Sequence, residues 1–336
     1  MDQGFRTAAQ ISTYPMDFPH AGHLLAHQLR VWAPMVERIV LTIDVHRSRS
    51  GRYRGTDFDR NLAGLRDLAR GFRETVAGFE AIEVDNDPAA RREVAQWFFG
   101  RDDMPLKAWD GGPFYAYFYG LFHARARYVV HFDGDMLFGG GSRSWMEDAI
   151  RALEADPQAL LANPYPGPPR ADGVAYGQDA GTVLSFRLDG NPALAVDHAS
   201  TRIFLADMQR LRALGPLPMT APDFGQRQKA RLLGNPPDVI EAEELLSRVM
   251  RDRGLHRIDM LGAAPGLWSL HPPYRGPNFY AGLPGLVAAV ESGQVPDDQR
   301  GHYDVRDSMI DWSAERARTR RHRRLWRMLA ERLGAR

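Results

Sequence analysis

The sequence predicts an α/β fold in which a largely parallel sheet carries helices on both faces. Two observations support this: short apolar, β-branched runs alternate with stretches of helical period, and turn residues close most of the runs. With 336 residues, 44% of them hydrophobic, the chain suffices for one extended core or two modest domains.

The first strand expected is Arg38 to Val45, where Ile39, Val40, Leu41, Ile43 and Val45 make a near-continuous run after a helical stretch from about Ala21 to Val31. A second, Phe79 to Val84, stops at Asp85, Asn86 and Asp87, and Pro88 stands where a helix begins. Gly111, Gly112 and Pro113 open the next helix, whose Phe114, Phe118, Leu121 and Phe122 share one face. That helix leads into the clearest strand, Tyr128 to Phe132. Ser144 and Glu147 then form a capping-box pattern for a helix ending near Pro157. Leu160 to Ala162 and Thr182 to Leu188 read as strands, Arg202 to Leu214 as a helix, and Gly215 to Asp238 as turns. A helix from about Glu241 to Asp252 follows, and Ile258 to Leu270 includes strand.

Asp133-Gly134-Asp135 stands at the end of the clearest strand. In an open α/β sheet that edge binds ligands, and residues two apart on a strand project to one side. Two neighbouring carboxylates repel unless a cation or hydrogen-bond donors compensate, so a shared divalent ion is expected, with Gly134 leaving space for a ligand. No cysteine is present, which excludes disulfides and thiolate sites and favours magnesium or manganese, Mg2+ or Mn2+, on oxygen and imidazole ligands.

The helix from Gly112 to Arg127 followed by Tyr128 to Asp135 resembles the GT-A glycosyltransferases, particularly the family 2 type, over roughly Arg38 to His271. The resemblance implies a mixed, mainly parallel Rossmann-like sheet and a metal-dependent transfer of sugar from a UDP or GDP type donor to a saccharide or lipid-linked acceptor. It further implies a catalytic domain over residues 1–275. In that division 30–162 bind the nucleotide sugar, 163–275 complete the metal and acceptor sites, and 276–336 form a C-terminal extension. Asp133 and Asp135 become donor and metal ligands, and Trp268-Ser269-Leu270-His271-Pro272 looks like the element that supplies a histidine as third metal ligand. Tyr274 and Arg275 follow in a loop able to cover the diphosphate. Asp44 and Asp110 are candidates for nucleotide contact, and the equally open alternatives are a strand end for Asp44 and a turn or cap for Asp110. Glu241-Ala-Glu243-Glu244 resembles the acidic pair that opens the family's base-bearing helix. Glu243 fits best and Glu244 second, although the usual Glu-Asp pair is absent and glutamates in a first turn also suit the helix dipole. The stereochemical outcome stays open. Among loop aromatics able to stack on a sugar, Trp268 and Tyr274 are the acceptor candidates.

Residues Glu315 to Arg336 carry nine arginines and two glutamates, a charge of +7 against −6 for the rest. With Leu325, Leu329 and Leu333 four apart, this tail reads as a basic amphipathic helix that either lies on an anionic membrane or packs on the body. Nucleic acid is not an expected partner, since no binding module accompanies the charge. The N-terminal stretch lacks a basic region followed by an apolar core and no run of about 18 apolar residues occurs, so a cytosolic protein is expected, peripheral at the inner membrane face only in the alternative in which the tail lies on lipid. Two rival readings are a catalytically silent nucleotide- or sugar-binding protein and an Asp-x-Asp phosphatase. The second usually has Thr after its second Asp, and here Met136 follows.

Overall fold

A computed structural model describes residues 4–47, 57–176 and 183–319. In chain order the elements are β1 (Phe5–Thr13), α1 (Phe18–Trp32), β2 (Arg38–Ile43), α2 (Phe58–Thr75), β3 (Phe79–Glu83), α3 (Pro88–Phe99), α4 (Tyr115–His123), β4 (Ala126–Asp133), β5 (Leu137–Gly139) and α5 (Trp145–Ala155). There follow β6 (Ala159–Pro166), β7 (Val183–Leu188), β8 (Asn191–Val196), β9 (Ile203–Asp207), α6 (Met208–Ala213), α7 (Phe224–Leu233), α8 (Ala242–Asp252), β10 (His256–Met260), β11 (Trp268–Leu270), α9 (Pro277–Ser292) and α10 (Ser313–Thr319).

The main sheet runs β3-β2-β1-β4-β9-β6-β10-β8-β7. Strands β3, β2, β1 and β4 are parallel, β9 is inserted antiparallel between β4 and β6, and β10 lies parallel to β6. The α/β class and the mainly parallel, mixed sheet are therefore as the sequence predicts. Side-chain alternation sorts two cores. In β1 and β4, Ala8 and Val129 face the layer of α3, α4 and α8, while Ala9, Ile11, Val130 and Phe132 face α1, α2 and α5. A third cluster joins Leu24, Leu137 and Tyr165 to Phe279, Leu283 and Trp312, so residues 277–312 close over one end of the sheet.

The structure differs from the sequence reading at four places. The first strand is β1, not Arg38 to Val45, and it sits in the middle of the sheet. Its buried Thr7, Ala8, Ala9 and Gln10 lack the β-branched apolar signature. Gln10 is accommodated by donating to Thr42 Oγ1 (3.0 Å) and by contact with His131. Arg202 to Leu214 is not one helix but strand β9 followed by α6, with Asp207 as the N-cap accepting from Gln209 and Arg210 amides. Ser144 forms no capping box; its hydroxyl lies 3.2 Å from Asp148, and Glu147 pairs with Arg6 instead. Within the stretch read as turns, α7 is a helix held by a capping box between Asp223 and Gln226 and ended by Gly234 at φ +76°. The leucines of the basic tail, Leu325, Leu329 and Leu333, lie outside the described residues.

Helix α1 positions the acidic segment. Gln28 donates to Met136 O (2.9 Å), His27 Nε2 accepts from Phe138 N (2.9 Å), and Trp32 lies edge-on to Phe138 and Trp145 and stacked on Phe132. Trp32 is fully buried at this junction. Trp32→Ala is expected to lower stability by about 3–5 kcal/mol, read from the urea midpoint.

Candidate functional site

Parallel register brings the carboxyl ends of three strands to one place. Ser12 lies opposite Asp133 and Thr13 opposite Ile43, and the backbone continues the alignment through Asp44 N to Thr13 O and Gly134 N to Ser12 O (both 2.9 Å). A cleft opens at that edge, lined among others by Thr13, Tyr14, Asp44, Lys107, Tyr117, Asp133 and Arg275. Gly134 also borders it, but its missing side chain serves packing and not only ligand approach: a Cβ there would come within 2.8 Å of Thr13 Cγ2. A glycine is needed because β1 passes so close.

Asp133 is partly open to the cleft and Asp135 is buried. Burial followed by the neighbouring Asp135 pushes the Asp133 carboxyl up to about 8. For Asp135 burial acts upward too, but Arg275, His271 and His20 outweigh it and hold the group well below the usual carboxylate range. The pair thus has one ionised and one readily protonated member, as two adjacent buried carboxyls require.

Arg275 is the principal compensating charge. Its Nε and Nη2 donate to Asp135 Oδ2, Nε at 3.0 Å, and its Nη1 donates to Asp17 Oδ1 at 2.7 Å. Asp17 Oδ2 in turn accepts from Tyr14 N at 2.9 Å. His271 follows β11 and is buried. Its Nδ1 donates to Asp304 Oδ1 (2.8 Å), which fixes the tautomer and leaves Nε2 as acceptor for Arg202 Nη1. Tyr303, stacked on the His271 ring, and His20 complete the surround. Both His20 nitrogens are buried without a hydrogen-bond partner among the described residues.

This donor set suits a hard divalent cation in its chemistry. It offers two carboxyl groups, a neutral imidazole whose far nitrogen is anchored by an acid, and the buried Asp135 Oδ1 with no partner among the described residues. In the arrangement seen, however, the guanidinium groups of Arg275 and Arg202 occupy Asp135 Oδ2 and His271 Nε2. No group of three or more His, Asp and Glu side chains is assembled around a common point among the described residues. A bound cation would take over atoms that the arginines now hold.

The other predicted residues divide. Asp44 lines the cleft, accepts from Lys107 Nζ (2.8 Å) and from His46 N (2.9 Å), and so does more than end a strand. Asp110 is exposed and accepts from Gly112 N (2.8 Å), the turn role. Glu243 opens α8 and accepts from Thr201 N (2.9 Å) and Oγ1 (3.3 Å). Tyr117 lines the cleft, and burial raises its hydroxyl well above its ordinary range, with Asp133 and Glu243 adding to the effect. Glu244 instead pairs with Arg248 (2.7 Å) and Arg251. Trp268 stands in strand β11 and not in a loop. It is 4% exposed, packed in the third core with its ring where a Cβ on Gly139 would stand. Tyr274 is half-buried against Trp312.

Asp17, Lys107, Arg202 and Asp304 were not singled out from the sequence. Lys107 lies in an irregular segment, Asp17 ends a single 3-10 turn (Pro15–Asp17) ahead of α1, and Arg202 opens the stretch that the sequence reads as a helix. The signal available for Asp17 was its place one turn after a strand, which the missed β1 concealed.

No protein-family model and no curated protein matches the sequence. Among solved structures the chain is similar to the mannosyltransferase PcManGT of Pyrobaculum calidifontis in complex with GDP-Man and Mn2+, at 15% identity over 87% of this chain and 65% of that one, with a TM-score of 0.36. It is also similar to S. aureus TarS 1-349 (9% identity, 78% and 60% covered, TM-score 0.40) and to GalNAc-T7 with UDP, GalNAc and Mn2+ (10% identity, 84% and 48% covered, TM-score 0.42). The chain spans about half to two thirds of the length of these three.

The state of Asp133 makes a measurable claim. Its folded pKa is raised, so the protonated carboxyl stabilises the fold at low pH and this contribution is lost as pH climbs from about 4 to about 8. Without metal, Asp133→Asn should therefore gain stability relative to wild type across that window. Urea midpoints of both proteins at its two ends check it, and parallel profiles would refute it.

Proposed function

We propose that the protein is a glycosyltransferase that takes a sugar from a nucleotide-diphosphate donor bound in the cleft at the carboxyl edge. The observation that carries this reading is convergence. Arg275, bonded to the buried Asp135 from 140 residues away, lines one opening together with Asp133, Lys107 and Asp44. The donor's nucleoside end lies toward Tyr14, Asp44 and Lys107. Its diphosphate lies toward Arg275 and Arg202, which exchange their carboxylate and imidazole contacts for phosphate oxygens, a geometry that guanidinium groups match well.

Asp133, Asp135 and His271 would hold a divalent cation, manganese or magnesium, which when bound supplies charge neutralisation for the departing diphosphate. The chain's own groups supply the rest. Asp304, by accepting from Nδ1, holds the tautomer in which the His271 Nε2 lone pair faces Arg202. Tyr117 and the close packing of Gly134 on β1 narrow the cleft beside the reacting carbon. Glu243 takes the proton from the acceptor hydroxyl as its oxygen bonds to the anomeric carbon and the bond to the diphosphate breaks, so the reading includes inversion. Glu244 is unsuited to that task because two arginines already engage it.

A thermal-shift series with uridine and guanosine diphosphates and Mn2+ tests the binding step. One of them should raise the melting temperature in a metal-dependent way, and Asp135→Ala should abolish the rise. For the chemical step, Glu243→Gln should lower kcat of donor hydrolysis about 10²–10⁴-fold with binding kept, while Glu244→Gln leaves kcat within about threefold. Binding without hydrolysis would instead favour a catalytically silent module, and no shift with any nucleotide would refute the proposal.

A further inference from the structure

Glu243 is exposed in the first turn of α8, where a long side chain samples many rotamers unless something holds it. Thr201 does so. Its N–H and its hydroxyl both donate to Oε2, which leaves Oε1 without a hydrogen bond among the described residues. Thr201 lies in neither helix nor strand, so its own position must be set by a neighbour. That neighbour is His131. Its Nε2 donates to Thr201 O at 2.9 Å, and because a carbonyl can only accept, this nitrogen carries the hydrogen. The ring is wholly buried on β4, between Gln10 of β1 and Phe204 of β9, with the Tyr117 ring edge-on at 4.8 Å and the Phe204 ring at 5.1 Å. Nδ1 lies against the Gln10 amide, whose Nε2 donates to Ser12 Oγ (3.2 Å) and Thr42 Oγ1 (3.0 Å), two residues of the cleft wall. Packing alone does not call for an imidazole here, since an apolar side chain would fill the space with no polar atoms to satisfy.

We propose that His131 is a positioning residue for the general base: through Thr201 it sets where the Glu243 carboxylate stands relative to a donor held at Asp133. His131 and Asp133 are two apart on one strand and project to the same side of the sheet. β4 therefore carries a donor ligand directly and the base at one remove. The acceptor oxygen attacks the anomeric carbon on the face opposite the departing diphosphate, and a misplacement of about 1 Å can cost about 10²-fold in rate. Fixing both partners to one strand guards against that error. The inference rests on the reading of Glu243 as the base.

The test compares two amide side chains at position 131 in the full-length protein. His131→Gln places a donor where Nε2 stands and so reaches Thr201, whereas His131→Asn reaches only the Gln10 side. In donor hydrolysis the Gln variant should keep kcat within about threefold and the Asn variant should lose about tenfold or more, with KM for the nucleotide sugar within about twofold in both. Added to Glu243→Gln, the Asn change should cause no further loss, because no base remains to be positioned. Amide exchange at Thr201, followed by NMR, reads the same link without turnover: His131→Asn should speed it about tenfold and His131→Gln should not. Equal kcat for the two variants, a loss that adds to that of Glu243→Gln, an effect confined to KM, or unaltered exchange at Thr201 would overturn the proposal. If urea midpoints show that the Asn variant does not fold, His131→Phe, which keeps the ring and lacks the donor, takes its place. A wild-type protein that hydrolyses no donor sinks the transferase reading and with it the task given to Glu243, while exchange at Thr201 still decides whether His131 holds that residue.

Discussion

A buried, ionised carboxylate organises this molecule. Asp135 is shielded from water almost entirely, and a charge in that position is tolerable only if counter-charge reaches it. Arg275 provides that charge from 140 residues downstream, and through Asp17 it also ties the segment after β1 to the loop after β11. Three distant stretches are fastened at the carboxyl edge by one guanidinium group. The same electrostatic demand explains the split between Asp133 and Asp135, because a single cationic partner can satisfy only one of the two.

The sheet supplies what the charges cannot, namely their common location. Parallel pairing of β1 with β2 and β4 makes three strands end together, so residues that follow them share an opening without any special loop. Helix α1 then secures the chain after β4 through Gln28, His27 and Trp32. The site is thereby supported by packed, hydrogen-bonded elements, which is what a constellation of charges needs in order to hold its geometry.

The sequence displayed the outer frame of this arrangement more clearly than its centre. Strands β2, β3 and β4 were legible because buried parallel strands are runs of β-branched and aromatic residues, and α3, α4 and α8 because their starts and periods agree. β1 was concealed by Thr7, Ala8, Ala9 and Gln10, whose burial is made possible by tight packing and by a side-chain amide bonded to Thr42. β9 was hidden because Ile203 to Leu214 is apolar at both the helical and the extended period, and only the partners β4 and β6 select the strand. At the site, Asp133 and Asp135 were legible from their place at a strand's end, and His271 and Arg275 only through the family resemblance of the segment that holds them. Asp17, Lys107 and Arg202 escaped because their roles come from tertiary contacts. Trp268 shows the converse: a loop-side aromatic in the sequence, it fills the place left by Gly139.

The antiparallel run of β9 has a consequence for how such a protein can diversify. Because β9 enters the sheet against its neighbours, the loop ahead of it, with Thr201 and Arg202, reaches the functional edge from the opposite direction to the loops after β1, β2 and β4. Insertions or exchanges at residues 197–201 can thus reshape the side near Glu243, which accepts from Thr201, while leaving the loops after β1, β2 and β4 and their strand pairings untouched. Reversal of one strand divides the rim into a portion free to vary and a portion bound to its register.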